Sequence, residues 1–132
     1  MVHFTDLGNN LLSMKKWNRL KGKLGEDLGE DYLKNQGYRI LERNFRSPFG
    51  EIDLIAVHQG SLVFVEVKSR QNASFGFPEE AINGRKKAQL ARLASWYLSR
   101  YPKFPQVRFD VLAIQKEGAE LGIRLIQNAF EI

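Results

Sequence analysis

The stretch that decides the fold is Gly50-Glu-Ile-Asp-Leu-Ile-Ala-Val-His-Gln-Gly-Ser-Leu-Val-Phe-Val-Glu-Val-Lys68. Two runs rich in apolar and β-branched residues flank a short polar segment that contains Gln59 and Gly60. This composition is typical of a β-hairpin. If the turn is centred between Gln59 and Gly60, Val57 faces Leu62, and every pair further from the turn follows from that register.

Two carboxylates meet in this register, because Asp53 then faces Glu66. Side chains directly opposed in an antiparallel pair have Cβ atoms about 4.5 to 5.5 Å apart, and like charges there repel. A divalent cation removes the repulsion, since Mg²⁺ takes one or two carboxylates together with waters and substrate phosphate. The hairpin therefore predicts a Mg²⁺ or Mn²⁺ site held by Asp53 and Glu66. A shift of one residue would separate the two onto opposite faces.

Two more charged side chains are candidates for the same site. Lys68 lies two residues past Glu66 and so shares its face of the strand. Its ammonium can orient an attacking water or neutralise negative charge that develops during phosphodiester hydrolysis. Glu26, on the first predicted helix, is a further candidate that can hold a second metal or a water.

A salt-bridge ladder on a solvent-facing sheet is the alternative interpretation of these charges. In the same register Glu51 faces Lys68, so the acidic and basic side chains can pair with one another. The apolar neighbours Ile55 and Phe64 argue against a fully solvated face, and both interpretations remain open at this point.

The rest of the chain predicts an α/β domain with the order αβββαββ. The apolar periodicity and the turn residues give these ranges: a helix at 24–36 ending before Gly37, strands at 38–46, 51–57 and 62–68, a helix at 85–101 with Asn83 as N-cap, and strands at 107–115 and 123–127. This pattern describes a mixed sheet flanked by helices. Residues 1–21 are interpreted as a basic extension with a short helix as one option, and residues 22–132 as one domain.

The composition limits the possible site chemistry and partners. Twenty Lys and Arg against fifteen Asp and Glu give a net charge of +5, which makes a polyanion a plausible partner. The absence of cysteine excludes disulfides, thiolate zinc sites and cysteine nucleophiles, and only two histidines are present. Any metal is therefore expected on oxygen ligands. No apolar run has the length of a membrane span or a signal peptide, so we expect a cytoplasmic protein.

An acidic residue followed by a strand ending in Glu-x-Lys resembles the PD-(D/E)xK, restriction-endonuclease-like nucleases. Asp53 and Glu66-Val67-Lys68 match that pattern, and Glu26 matches a helix position where archaeal Holliday-junction resolvases of this fold carry an acidic residue. The resemblance implies a restriction-endonuclease-like fold, Asp53, Glu66, Lys68 and Glu26 as catalytic residues, and metal ligation by Asp53 and Glu66, with Glu26 and the Val67 backbone carbonyl as further ligands.

The chain from about residue 22 to 130 is also similar to the YraN-type bacterial family, which is classed as endonuclease-like. The matching segments are Gly25-Glu26, Asn44-x-Arg46, Gly50-Glu-Ile-Asp-Leu-Ile55, Phe64-Val-Glu-Val-Lys-x-Arg70, Phe75-Gly-x-Pro78, Lys86, Arg108-Phe-Asp-Val111 and Asn128-Ala-Phe130. Gly29 departs from this pattern, since a small alanine is usual at that position.

Three basic residues in the matching segments, Arg46, Arg70 and Lys86, are candidates to contact DNA phosphates. The alternative for Arg46 and Arg70 is an ion pair with Glu51 or Glu80.

Other matching segments favour structural roles. Arg108 and Asp110 are expected to form a structural ion pair. Residues 128–130 are expected to anchor the C-terminus. Phe75 and Phe77 are expected to pack under the long helix rather than stack on an unpaired base.

The expected function is metal-dependent endonucleolytic hydrolysis of DNA. By analogy with the resolvases, the expected substrate is branched DNA or a repair intermediate, and a homodimer would suit a cut in two strands. Two alternatives remain: a DNA-binding module of the same fold with a silent site, and an interaction factor for the DNA repair machinery that uses the basic N-terminal extension.

Overall fold

The computed structural model describes residues 2–8, 23–71, 83–117 and 120–131. Within these residues six strands form one sheet in the spatial order β1-β6-β5-β4-β3-β2. The elements are β1 (Val2–Gly8), α1 (Lys23–Asn35), β2 (Arg39–Ser47), β3 (Gly50–His58), β4 (Ser61–Gln71), α2 (Gly84–Arg100), β5 (Val107–Glu117) and β6 (Glu120–Ile126). Strands β4 and β5 are parallel and the other neighbours are antiparallel, so the sheet is mixed.

The two helices of the described ranges cover opposite faces of the sheet. Alternate residues of a strand point to opposite faces, and in β4 Val63 and Val65 pack in the cluster that contains Leu33 of α1. Phe64 packs instead in the cluster that contains Leu90 of α2. This arrangement confirms the predicted α/β class with a mixed sheet flanked by helices. The order αβββαββ is confirmed from α1 to β6.

The N-terminal extension contributes a strand that the sequence analysis did not predict. Residues Val2–Gly8 pair antiparallel with β6 and add β1 at the edge of the sheet, where a short helix had been one option. The segment includes Val2, Phe4 and Thr5, residue types that fit a pleated strand, and the free edge of β6 supplies backbone partners. Residues 9–22 lie outside the described residues.

The central hairpin has the predicted turn and register. Gln59 and Gly60 both have positive φ, 51° and 79°, as a two-residue type I′ turn requires. Val57 pairs with Leu62, and the register continues with each successive pair. The ladder ends at Leu54 and Val65, however, so the two expected pairs beyond it, of which the first was Asp53 with Glu66, do not form as ladder partners.

Helix α2 begins and ends close to its predicted limits. The Asn83 side chain accepts a hydrogen bond of 2.9 Å from the Lys86 backbone N–H, which confirms Asn83 as the N-cap. Tyr101 is the C-cap and Pro102 follows it, where no backbone N–H is available to continue the helix.

Helix α1 lies close to the sheet at Gly29. A Cβ built on Gly29 would be 2.8 Å from Leu112 Cδ2 and 3.9 Å from Val67 Cγ1. The helix ends at Asn35, one residue short of its predicted limit, and the predicted stop Gly37 has a φ of 91°, a conformation that glycine adopts without steric cost. The missing side chain of Gly29 thus sets how closely α1 approaches β4 and β5.

A buried polar network centred on Asp110 connects β5 with the chain segments before β2 and after β6. Asp110, which is 1% exposed, accepts hydrogen bonds from the Tyr38 hydroxyl at 2.7 Å, from the Arg108 guanidinium at 2.9 and 3.0 Å, and from the Asn128 N–H at 2.9 Å. The structural pairing of Arg108 with Asp110 is therefore confirmed. Residues 128–130 are confirmed as an anchor, since Phe130 also stacks on Phe109 at 5.0 Å.

Across the described ranges, no helix combines the length and apolar character needed to cross a membrane.

Candidate active site

The candidate site lies where β3 and β4 separate. Beyond the last ladder pair, Asp53 Oδ2 accepts a hydrogen bond of 2.7 Å from the Val67 backbone N–H. The carboxylate of one strand therefore takes the place of a backbone partner for the other. Asp53 therefore lies close enough to Glu66 for its charge to raise the pKa of Glu66, but the two are not the ladder partners that the sequence predicted.

Glu66 is the buried acid of the site, with 6% of its surface exposed. Burial raises the pKa of Glu66, and the negative charge of Asp53 raises it further, while Lys86 and Lys68 act in the opposite direction. The mutual repulsion of two carboxylates, inferred above from the hairpin register, is thus present in the folded protein.

Two lysines from different elements neutralise Glu66. Lys68 Nζ lies 3.6 Å from Glu66 Oε2, as expected for side chains two residues apart on one strand. Lys86 Nζ lies 3.7 Å from Glu66 Oε1 and comes from the first turn of α2. Only 28% of the Lys68 side chain and 29% of the Lys86 side chain are exposed, so these ion pairs are less screened by solvent than surface pairs.

Lys86, which the sequence analysis named as a candidate phosphate contact, lies beside the carboxylate at the centre of the site. The Asn83 N-cap fixes the start of α2 and hence the position of Lys86 above β4. The sequence offered no signal for this contact, because it depends on how α2 docks on the sheet.

Exposed charges at the β2–β3 turn form a separate pair. Arg46 Nε lies 3.4 Å from Glu51 Oε2, and both side chains are largely exposed. Glu51 therefore contacts Arg46 instead of the expected Lys68. One of the two alternatives weighed for Arg46, the ion pair, is present in the structure. Such an exposed pair contributes at most about 1 kcal/mol and leaves Arg46 able to exchange its partner.

Sequence reasoning missed Gln89 of α2. Gly50 has a φ of 134°, and the Gln89 side chain fills the space where a Cβ on Gly50 would lie. The two residues border a depression of about 420 Å³ next to the site, lined by Arg46, Ser47, Gly50, Glu51, Lys86 and Gln89. The helix and the β2–β3 turn therefore meet at this depression.

Several predicted residues cannot be placed at the site by their side chains. Glu26 lies in α1, three residues before Gly29 and so about 4.5 Å along the helix axis, but its side chain is outside the described part. The side chain of Arg70 in β4, the whole of Phe75 and Phe77, and the possible Arg70 partner Glu80 are outside it as well.

The described donor set suits a hard divalent cation. Asp53 and Glu66 supply two carboxylates, which is the usual protein contribution to Mg²⁺. Asp53 accepts a hydrogen bond from the Val67 N–H, and Glu66 lies beside two lysines. A cation would relieve the repulsion between the two carboxylates, which raises the pKa of Glu66. Among the described side chains, no three His, Cys, Asp or Glu residues cluster closely enough to hold a metal.

The chain is similar over most of its length to bacterial proteins of one family. The model of the uncharacterised protein family UPF0102 matches residues 25–114. A UPF0102 protein of Persephonella marina is 48% identical over 114 residues, which cover 86% of this chain and 95% of that protein. A UPF0102 protein of Thermodesulfovibrio yellowstonii is 49% identical over 109 residues, covering 83% and 94% of the two chains. The UPF0102 protein of Moorella thermoacetica is 42% identical over 120 residues, covering 89% and 100%.

Proposed function

The chain belongs to the uncharacterised protein family UPF0102, the YraN-type family identified from the sequence, and we propose that it is a metal-dependent endonuclease that hydrolyses phosphodiester bonds in DNA. One observation carries the proposal: Asp53 and the buried Glu66 converge where two strands separate, with two lysines on Glu66. Acidic groups that a fold brings together despite their repulsion are typical of metal-dependent catalytic sites.

Asp53 and Glu66 would hold Mg²⁺ or Mn²⁺, with Glu26 and the Val67 backbone carbonyl as further proposed ligands. When bound, such an ion polarises a phosphoryl oxygen and lowers the pKa of a coordinated water. The hydrogen bond from Val67 N–H fixes the Asp53 carboxylate, so the ligand is oriented before any ion arrives.

Lys68 and Lys86 are proposed to act on the substrate. Lys68 would orient the attacking water or stabilise negative charge on the phosphoryl oxygens during the reaction. Lys86, on the other side of Glu66, would contact the phosphate, together with Arg46 and Arg70 from β2 and β4. A divalent cation would replace the lysines as the neutralising charge on Glu66 and leave both ammonium groups for the substrate.

The proposed substrate is branched or otherwise structured DNA, as formed in recombination and repair, with a homodimer as the form that cuts two strands. These features rest on the resemblance to the resolvases. The same proposal places the protein in the cytoplasm.

Cleavage of a panel of DNAs tests the activity directly. Single-stranded, duplex, flapped and four-way DNAs would be incubated with the protein and Mg²⁺ or Mn²⁺. We expect cutting that requires the metal and that falls by at least about a hundredfold in Lys68→Ala, since one group aligned with the transition state contributes on the order of 10²–10³-fold. Equal cutting by Lys68→Ala would identify a contaminating nuclease and overturn the proposal.

A DNA-binding module without catalysis is the second candidate. It is favoured by the pairing of Glu66 with two lysines, which satisfies the acid without a metal. Thermal unfolding with and without Mn²⁺ separates the two candidates, because a ligand at 100 times its Kd stabilises a protein by about 2.7 kcal/mol.

The endonuclease proposal predicts that Mn²⁺ raises the Tm of the wild type but not that of Asp53→Ala or Glu66→Gln. Glu51→Gln, which changes an exposed acid on the same hairpin, is the matched control and should keep the shift. A Tm shift that survives in all three variants would place the metal elsewhere and favour the binding module.

An interaction factor for the repair machinery is a third option. Deleting residues 1–21 and measuring DNA affinity across salt concentrations tests it, because phosphate contacts make the affinity fall steeply with salt.

A further inference from the structure

One helix of the domain has a strong charge bias. Helix α2, GRKKAQLARLASWYLSR, contains no acidic residue, and its basic residues are Arg85, Lys86, Lys87, Arg92 and Arg100. A helix without acidic residues lacks the i,i+4 salt bridges that usually stabilise a solvated helix face. Lys86 contacts Glu66 of β4, and the charges of Arg85 and Arg92 are available to an external polyanion.

Three of the five basic residues of α2 fall on one flank. Leu90, Leu93, Ala94 and Tyr97 are buried and define the side that faces the sheet. With about 100° between successive residues, one lateral flank carries Arg85, Gln89, Arg92, Trp96 and Arg100.

Two contacts show that this flank lies beside β2 and the turn that follows it. The Gln89 side chain lies against Gly50, and the Phe45 ring lies 5.8 Å from the Trp96 ring. The flank is continuous with the candidate active site, because Lys86, one turn before Gln89, contacts Glu66.

The end of the flank that is farther from the site carries a cation on an aromatic ring. The Arg100 guanidinium lies 3.8 Å from the centre of the half-buried Trp96 ring. Lys86 and Arg100 are separated by about 21 Å along the helix axis at 1.5 Å per residue. The flank thus offers cations along its length and a planar group at its end.

We propose that this flank of α2 binds an unpaired DNA strand that leads to the carboxylate site. Arg92 and Arg85 contact its phosphates, and one base stacks on the Trp96–Arg100 pair. A base inside a duplex has both faces covered by its neighbours, whereas an unpaired base can stack on an aromatic ring or a guanidinium plane. The inference rests on the proposed function for the cut itself, and it narrows the substrate to DNA with a single-stranded arm beside the cutting position.

Two acidic groups that the structure describes near this flank, Glu51 and Glu42, do not block such a strand. Glu51 at the β2–β3 turn is exposed and already paired with Arg46 at 3.4 Å. Glu42 of β2 is half-buried. Its charge raises the pKa of Tyr97, which lies on the side of the helix that faces the sheet.

Tryptophan fluorescence tests the inference without any metal. The chain contains two tryptophans, so Trp17→Phe leaves Trp96 as the only one. This variant would be titrated in EDTA with a thymidine 15-mer and with a blunt duplex of equal length, and binding would be followed in parallel by anisotropy of labelled DNA. We expect the single strand to quench Trp96 and to bind more tightly than the duplex.

Matched variants separate stacking from charge. In the Trp17→Phe background, Arg92→Ala is expected to reduce the slope of log K against log salt concentration by about 0.7, the value for one phosphate contact with a single strand. Trp96→Ala should weaken binding by about tenfold, since one stacked base contributes on the order of 1–3 kcal/mol. Arg100→Lys keeps the charge but loses the planar group, so we expect weaker binding at an unchanged slope.

Lys34→Ala, on the opposite face of the sheet, is the control and should bind DNA like the parent. Binding by anisotropy without quenching of Trp96, or equal quenching by the blunt duplex, would overturn the inference. Quenching without cleavage in the DNA panel would support the single-strand flank and count against the nuclease. Cleavage without quenching of Trp96 would support the nuclease and count against the single-strand flank.

Discussion

His58 is a buried histidine whose surroundings favour the neutral ring. Its Nδ1 lies 2.8 Å from Arg108 Nη2 and accepts a hydrogen bond from that guanidinium, and its ring stacks on Tyr38 with centroids 4.1 Å apart. Burial lowers the pKa of His58 below its ordinary value near 6.5, and the Arg108 charge lowers it further. Protonation of the ring would place a second positive charge against the guanidinium.

A pH dependence of stability follows from His58. Because the pKa is lower in the folded state, the unfolded chain binds the proton more readily, so the contribution of His58 is present above pH 6.5 and is lost as the pH falls below it. Urea unfolding at several pH values between 5 and 8 should show this loss. His58→Gln, which keeps a hydrogen-bond acceptor but does not titrate, should show a flatter profile. Identical profiles for wild type and His58→Gln would exclude His58 as the cause.

At the residue scale, the sequence predicted the members of the site that lie on one hairpin. Strand alternation placed Glu66 and Lys68 on one face, and the hairpin register brought Asp53 near them. The role of Lys86 could not be predicted in the same way. Its contact with Glu66 joins residues from a helix and a strand that are not adjacent in sequence, and no local periodicity specifies it.

At the element scale, Gly29 decides how closely α1 packs on the sheet. Its α-carbon lies over the buried Leu112, and even a methyl group there would be 2.8 Å from Leu112 Cδ2. We expect Gly29→Leu to destabilise the protein by about 1–3 kcal/mol through overpacking. Gly29→Ala should be closer to wild type, since about 1 kcal/mol of helix propensity offsets the crowding.

The free energy of unfolding in urea checks the Gly29 prediction. Asp31→Leu adds the same side chain at an exposed position of α1 and should change the stability by less than about 0.5 kcal/mol. A Gly29→Leu protein as stable as Asp31→Leu would show that α1 can move away from the sheet at no cost.

Most helices and strands could be predicted from the sequence. Strand β1 and the early end of the ladder between β3 and β4 could not. The Asn83 cap, the Gly37 stop and the Gln59–Gly60 turn each specify a boundary through local chemistry. Strand β1 depends on a free edge of β6 that only the assembled sheet provides. The early separation of β3 and β4 likewise depends on a contact between the strands, the hydrogen bond from the Val67 N–H to the Asp53 carboxylate.

At the scale of the whole molecule, Asp110 joins four parts of the chain. It binds Tyr38 before β2, Arg108 in its own strand and Asn128 after β6, and Arg108 in turn contacts His58 of β3. Removing the carboxylate would leave a largely buried guanidinium without its counter-ion.

We therefore expect Asp110→Ala to lower the free energy of unfolding by about 3–5 kcal/mol, the cost of breaking a buried pair. Chemical denaturation provides the measurement, and Glu51→Ala, which breaks an exposed pair, should cost less than about 1 kcal/mol. A loss below 1 kcal/mol in Asp110→Ala would mean that water replaces the network. Loss of DNA cleavage at full stability would instead assign Asp110 to the chemistry.

The sequence by itself determined the α/β class, the central hairpin and the contact of Glu66 with Lys68, because those features follow from periodicities of 2 and 3.6 residues and from turn chemistry that acts over a few residues. It also identified the family, through motifs spread along the chain. The tertiary structure alone decided that α2 brings Lys86 to Glu66, that its basic flank lies along β2, and that Asp53 holds the backbone of β4. Those contacts depend on how helices dock on a sheet, and packing of side chains distant in sequence fixes that docking.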